Sequence, residues 1–272
     1  MSKVIYAAPR TTLFLPASNA RAIEKARALN ADMVILDLED AVKAMDKAQA
    51  RDMAIAAVAA GMGDKLTAIR INGADSPEHG ADMVAVRDSG ADFVVVPKVE
   101  AVKTATDVYS IAQKPVLAMI ETPRGVIAAA QIAALTSVQG LIVGPNDLGA
   151  SLRLPPAAGR AQIATALQMI VLAARAYEKW ALDGVFNKLD DPQGLARECA
   201  DGRLLGFDGK TLIHPNQIDT ARTAFDPSEA ELAEARDLIA AARGGAERYK
   251  DRMIEDMHVE QAKALLARSG TE

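Results

Sequence analysis

The sequence predicts an α/β fold of the (β/α)8 (TIM) barrel type, followed by a C-terminal helical arm. Three observations predict it. Short β-rich runs alternate with Ala-rich helical stretches over most of the chain. The runs are near-continuously apolar rather than alternating, as parallel strands covered by helices are. Eight strand–helix units in about 225 residues is also the size of a closed barrel. A doubly wound open sheet, the competing architecture, often has a glycine-rich loop after its first strand. Here Pro16-Ala17-Ser18-Asn19 follows instead.

In chain order, strands are expected over residues 12–16, 33–38, 67–72, 93–98, 116–121, 141–144, 184–186 and 211–214. Helices are expected over 20–29, 47–60, 81–89, 101–111, 127–135 and 161–177. This assigns residues 1–225 to the barrel and 226–272 to the arm. The arm opens on Asp226-Pro227-Ser228-Glu229, which reads as a helix start with Asp at N-cap, Pro at N1 and Glu at N3. That helix should run to about Arg243 and stop at Gly244-Gly245. A charged stretch over 247–256 then leads to a last helix near 259–268.

Composition narrows the function. A hydrophobic fraction of 50% excludes a disordered chain. Apolar runs such as Met33-Val34-Ile35-Leu36 are too short to cross a membrane. The N-terminus lacks the apolar core of a secretory signal, and the single cysteine, Cys199, excludes an intrachain disulfide framework. Both fit a cytoplasmic protein. Cys199 reads as buried and inert. A net charge of −5 without a Lys/Arg run, and only 4% aromatics, argue against nucleic acid as a partner.

Barrel chemistry sits at the carboxyl ends of the strands. The second strand ends in Asp37-Leu38-Glu39-Asp40, the third in Arg70-Ile71-Asn72, the fourth in Pro97-Lys98 and the fifth in Glu121-Thr122-Pro123-Arg124. Gly144-Pro145-Asn146-Asp147 follows the sixth. Five consecutive strands thus aim acids and bases at one mouth. Glu121 and Asp147 come from adjacent strands with no His or Cys nearby in sequence, and oxygen-only ligation of that kind suits Mg²⁺. The competing reading pairs these carboxylates with Arg70 or Arg124. Arg70 itself reads as an anion clamp or as the partner of Glu39 or Asp40. No H-E-x-x-H or G-x-S-x-G occurs, which disfavours a zinc site and a serine hydrolase.

These residues resemble the citrate lyase beta subunit family, part of the wider HpcH/HpaI aldolase superfamily that includes malyl-CoA and citramalyl-CoA lyases. The resemblance rests on Leu13-Phe14-Leu15-Pro16, Ile35 through Val42 with Lys47 and Arg51, Arg70-Ile71-Asn72, Pro97-Lys98 and Met119-Ile120-Glu121-Thr122. Gly144-Pro145-Asn146-Asp147-Leu148, Gly206-Phe207-Asp208-Gly209-Lys210 and Ile213-His214-Pro215 complete it, in order over about residues 10–270. It implies a Mg²⁺-dependent lyase. The substrate would be a 3-hydroxy-3-carboxy acyl thioester of coenzyme A or an acyl carrier protein, the products a 2-oxo acid and an acetyl thioester. Carried over, Glu121 and Asp147 are the metal ligands, and Arg70, Glu121 and Pro145 face the substrate. Arg10 matches a basic position associated with the thioester ligand, although the strand reading puts it at the other end of the barrel. Glu39, Asp40 and Lys98 surround the metal.

The arm departs from the family pattern. Relatives commonly read Met-Val/Ile-Asp with Pro one residue later, the Asp completing a neighbouring subunit's site. Here the run is Met253-Ile254-Glu255-Asp256-Met257-His258. Glu255 or Asp256 is the expected acid–base partner, in a homotrimer or hexamer. The rival functions are a class II 2-oxo acid aldolase without coenzyme A, a thioesterase-active relative and a non-catalytic barrel subunit.

Overall fold

A computed structural model describes residues 7–269. Eight parallel strands close into a barrel: β1 (Thr11–Pro16), β2 (Met33–Asp37), β3 (Leu66–Arg70), β4 (Phe93–Val96), β5 (Val116–Ile120), β6 (Val138–Val143), β7 (Trp180–Asp183) and β8 (Gly209–Leu212). Each strand pairs with the next, and β8 closes on β1 through Thr12 opposite Thr211. The (β/α)8 expectation holds. Every residue of β2, β4, β5, β7 and β8 is buried, which is why these strands carry no polar alternation.

Around the strands run α1 (Ala20–Ala26), α2 (Lys47–Ala59), α3 (His79–Arg87), α4 (Val102–Ala112), α5 (Pro123–Ala133), α6 (Pro145–Ser151), α7 (Ala164–Ala176), α8 (Pro192–Leu205) and α9 (Ile218–Phe225). Among the described residues no helix is long and apolar enough to cross a membrane. The α5 start lies earlier than its Ala-rich pattern suggested. Thr122 is its N-cap, with Oγ1 accepting the Gly125 N–H at 3.1 Å and Pro123 in the first turn.

The seventh strand is a correction. It is Trp180–Asp183 rather than 184–186, because Trp180-Ala181-Leu182 pairs with Gly140-Leu141-Ile142 of β6. Its final residue, Asp183, is fully buried, as is Lys210 of β8, whose Nζ lies 2.9 Å from Asp183 and 2.8 Å from Glu198. Arg160 adds a second bond to Asp183 at 2.9 Å. Cys199 is buried beside this network, and burial pushes its thiol up to about 11.

Residues 8–222 form one compact unit and the chain from Thr223 onward forms another. The second contains α10 (Glu229–Ala241), a hairpin of β9 (Glu247–Tyr249) and β10 (Arg252–Ile254), and α11 (Asp256–Ser269). Ala235, Leu238, Tyr249, Ile254 and Ala262 make its core. Two expectations change here. The cap of α10 is Ser228, not Asp226: Ser228 Oγ accepts the Glu231 N–H at 3.2 Å and the Glu231 carboxylate accepts the Ser228 N–H at 2.8 Å. The charged stretch is the hairpin, and the last helix begins at Asp256.

Candidate active site

The register of β2 against β3 places Asp37 directly opposite Arg70, each the last residue of its strand. Arg70 Nε donates to Asp37 Oδ1 and Nη2 to Asp37 Oδ2, both at 2.6 Å. Arg70 Nη1 lies 2.9 Å from Glu39 and 3.7 Å from Asp40, and the guanidinium stacks 5.0 Å from the centre of the Phe14 ring. Burial works against the Arg70 charge, but the Asp37 bonds and three neighbouring carboxylates outweigh it and hold the group above its ordinary range. Asp37 also accepts the N–H groups of Glu39 and Ala41, at 2.9 and 3.1 Å, and so shapes the loop after β2. Arg70 is therefore an ion-pair partner of Glu39 and Asp40, buried rather than on the surface. Its main partner, Asp37, was not singled out from the sequence. The signal was strand register, which places the two strand ends side by side.

Glu121 follows β5 and is only 4% exposed. Its Oε1 accepts the Lys98 N–H at 2.8 Å. Its other oxygen passes over Gly144, where a Cβ would come within 2.2 Å of Oε2. Asp147 stands in the first turn of α6 and is 38% exposed, with Lys98 Nζ 3.4 Å from Oδ2. Lys98 meets both residues, Glu121 through its backbone N–H and Asp147 through its ammonium. Arg124 is 84% exposed and lies 4.0 Å from Glu100. Burial, reinforced by the charges of Glu39 and Asp147 and opposed by the Lys98 N–H, pushes the Glu121 carboxyl up to about 7. Glu39 is likewise raised, by burial first.

A cavity of about 350 Å³ opens at this mouth, lined by Arg70, Met119, Glu121, Pro145, Asp147 and Thr211 among others. The structure thus gathers Arg70, Glu121, Asp147, Lys98, Glu39, Asp40 and Pro145 at one end of the barrel. Arg10 is not among them. It precedes β1, at the amino ends of the strands, where its N–H donates to Asp32 at 2.8 Å and its guanidinium lies 3.7 Å from the same carboxylate. Its place at the opposite end from the mouth corrects its assignment to substrate. Glu255 and Asp256 belong to the arm: Asp256 accepts the Gly245 N–H at 3.0 Å, and the Glu255 N–H donates to His258 Nδ1 at 2.9 Å.

The residues fit magnesium. The donors are carboxylate oxygens, one on a buried side chain whose charge is disfavoured without a cation, and Gly144 leaves the space that side chain occupies. Among the described residues no three His, Cys, Asp or Glu side chains form a closed metal cage. Two protein ligands with the remaining positions left to water and substrate is how Mg²⁺ is usually held.

Comparison with known proteins identifies the family. The HpcH/HpaI aldolase/citrate lyase family model matches residues 10–215, so the chain belongs to that family. A (3S)-malyl-CoA thioesterase of Cereibacter sphaeroides is 39% identical over 96% of this chain and 94% of its own length. A citrate lyase subunit beta-like protein of Mycobacterium tuberculosis is 36% identical over 95% of this chain and 94% of its own. The crystal structure of CitE from M. tuberculosis in complex with magnesium, acetoacetate and coenzyme A superposes with a TM-score of 0.85, at 34% identity, covering 97% of this chain and 99% of that one.

Two outcomes follow from the geometry. Gly144→Ala forces the Glu121 side chain aside, so Mg²⁺ affinity by isothermal titration should fall at least tenfold; unchanged affinity would remove Glu121 from the metal site. In the metal-free protein a folded-state value of about 7 against an ordinary 4.5 means the fold retains a proton the unfolded chain has lost. Stability should therefore fall as pH rises from about 4.5 through 7, by roughly 3 kcal/mol for a shift of this size. Melting curves of Glu121→Gln should lose that slope, and an identical slope in the variant would assign it elsewhere.

Proposed function

We propose that this protein is a Mg²⁺-dependent carbon–carbon lyase acting on a malyl-CoA-type thioester, meaning a 3-hydroxy-3-carboxy acyl thioester. The observation that carries the reading is the placement of Glu121 and Asp147 at adjacent strand ends, opening with Arg70 into one cavity. Bound through these carboxylates, magnesium would supply positive charge beside the substrate's carboxylate and hydroxyl oxygens and favour the hydroxyl's deprotonation. The buried Glu121 and the Lys98 N–H fix the position of that charge. The C–C bond then breaks as the hydroxyl proton leaves. The carboxyl-bearing carbon becomes the 2-oxo acid, and the bonding electrons pass to the thioester as an enolate. Arg70 stabilises that negative charge, its fork kept rigid by Asp37. An arm carboxylate, Glu255 or Asp256, takes the hydroxyl proton and returns it to the enolate carbon, giving the acetyl thioester. The arm acts on a neighbouring copy's site in a homotrimer or hexamer, and there excludes water from the enolate.

Thioester hydrolysis is the second reading, favoured by the relatives named (3S)-malyl-CoA thioesterase at 38–39% identity. It uses the same substrate and mouth but yields the free hydroxy acid and the thiol.

Product analysis separates them. With malyl-CoA and Mg²⁺, a lyase releases a 2-oxo acid trapped as its hydrazone, with no free thiol; a hydrolase releases free thiol and no 2-oxo acid. Arg70→Lys, which keeps charge but loses the fork, should lower kcat/KM about 10²–10³-fold, the usual cost of losing one well-placed donor to a developing anion. It should also melt earlier, since Asp37 loses its bidentate partner. Wild-type kinetics would restrict Arg70 to a structural role.

Arm crossing has its own test. Inactive Glu121→Ala subunits are mixed with inactive Glu255→Ala/Asp256→Ala subunits. Recovery of part of the activity is expected, because some sites combine an intact barrel with an intact arm. No recovery, with subunit exchange demonstrated, would confine the arm to its own barrel or remove it from catalysis.

A further inference from the structure

Lys98 touches both candidate metal ligands, one through its backbone and one through its side chain. It follows Pro97 at the end of β4 and adopts φ +50°, a left-handed conformation uncommon for a residue with a side chain. That turn aims its N–H at Glu121 Oε1, 2.8 Å away. The same residue places Nζ 3.4 Å from Asp147 Oδ2 and 3.5 Å from Glu39 Oε1. Arg70 meets the other acids of the mouth, Asp37, Glu39 and Asp40.

The two cations are held differently. Arg70 is buried and locked at 2.6 Å on both oxygens of Asp37. Lys98 is 48% exposed, and its ammonium lies between two carboxylates at distances longer than the 2.7–2.9 Å of a committed charged hydrogen bond. An ammonium on a flexible four-carbon stem is a point charge that can swing into water at little cost. A guanidinium fork under a stacked ring cannot.

We propose that Lys98 is a built-in stand-in for the divalent cation. Its ammonium offsets the charge of Asp147 and Glu39 while no divalent cation is bound, and it gives up Asp147 when Mg²⁺ binds. Its backbone N–H keeps Glu121 in place throughout. This rests on the reading of Glu121 and Asp147 as the Mg²⁺ ligands. The arrangement has two consequences of opposite sign: the stand-in stabilises the metal-free protein and competes with Mg²⁺ for Asp147.

The experiment is Mg²⁺ titration calorimetry with thermal melts, with and without Mg²⁺, on wild type, Lys98→Asn, Lys98→Arg and Glu121→Ala. Asparagine tolerates the left-handed backbone and keeps the N–H, so it removes the ammonium alone. Lys98→Asn should bind Mg²⁺ at least tenfold tighter, melt lower without metal, and show a larger Mg²⁺-induced rise in Tm. Lys98→Arg, with a fork that grips Asp147 more firmly, should bind Mg²⁺ several-fold more weakly, and this arm stands even if the asparagine variant folds poorly. Unchanged or weaker binding in Lys98→Asn, or unchanged or tighter binding in Lys98→Arg, overturns the proposal. If Glu121→Ala abolishes binding while both Lys98 variants match wild type, the stand-in alone fails. If Glu121→Ala binds as wild type does, the metal-site reading fails and the stand-in with it.

Discussion

Like charges crowded at low dielectric cannot all stay ionised unless something opposes them, and the mouth of this barrel is built around that constraint. Asp37, Glu39, Asp40, Glu121 and Asp147 converge on one end of the strands and are met by Arg70 and Lys98. Arg70 carries the structural share. Its bidentate bond to Asp37 ties the ends of β2 and β3 together, and its remaining contacts hold the loop that presents Glu39 and Asp40. Removing Arg70 from so buried a pair leaves Asp37 without its cation, which is the expensive case.

Glu121 and Asp147 occupy the other side of the mouth, and their surroundings differ. Glu121 is buried with a backbone N–H against one oxygen, so its charge is suppressed and its position is sharp. Asp147 is half-exposed on the first turn of a helix, where the backbone dipole favours an anion. One candidate ligand is fixed by the core and the other sits at a water-reachable rim. That is a suitable pairing for an ion that keeps part of its water shell.

Much of this was legible in the chain. Parallel strands buried on both faces leave unbroken apolar runs, so seven of the eight were found near their true places. The seventh failed because Trp180-Ala181-Leu182 is short and flanked by Lys179 and Asp183, while Val185-Phe186 nearby looks more strand-like. Asp183 meets its partners Lys210 and Arg160 only across the fold, which no local pattern shows. In the arm, Arg248, Lys250 and Arg252 masked a hairpin whose inward residues are Tyr249 and Ile254. At the site, carboxylates at strand ends advertise themselves. Partnership does not: Asp37 meets Arg70 through register 33 positions away, and no local rule marks a lysine as left-handed.

The spacing of the two candidate ligands is set in the end by residues with no side chain. Gly184, just past β7, leaves the space taken by the Pro145 ring; a Cβ there would lie 2.3 Å from Pro145 Cδ. Pro145 begins α6, and the first turn of that helix carries Asp147. Gly144, one residue earlier, leaves the space for the Glu121 carboxylate. A methyl at either glycine would drive one ligand or its helix away from the other. The two carboxylates follow different strands, yet their separation depends on how closely three backbone segments can approach. That approach is decided where β6 and β7 leave the barrel, so the candidate metal site is a property of the strand ends before it is a property of the acids placed on them.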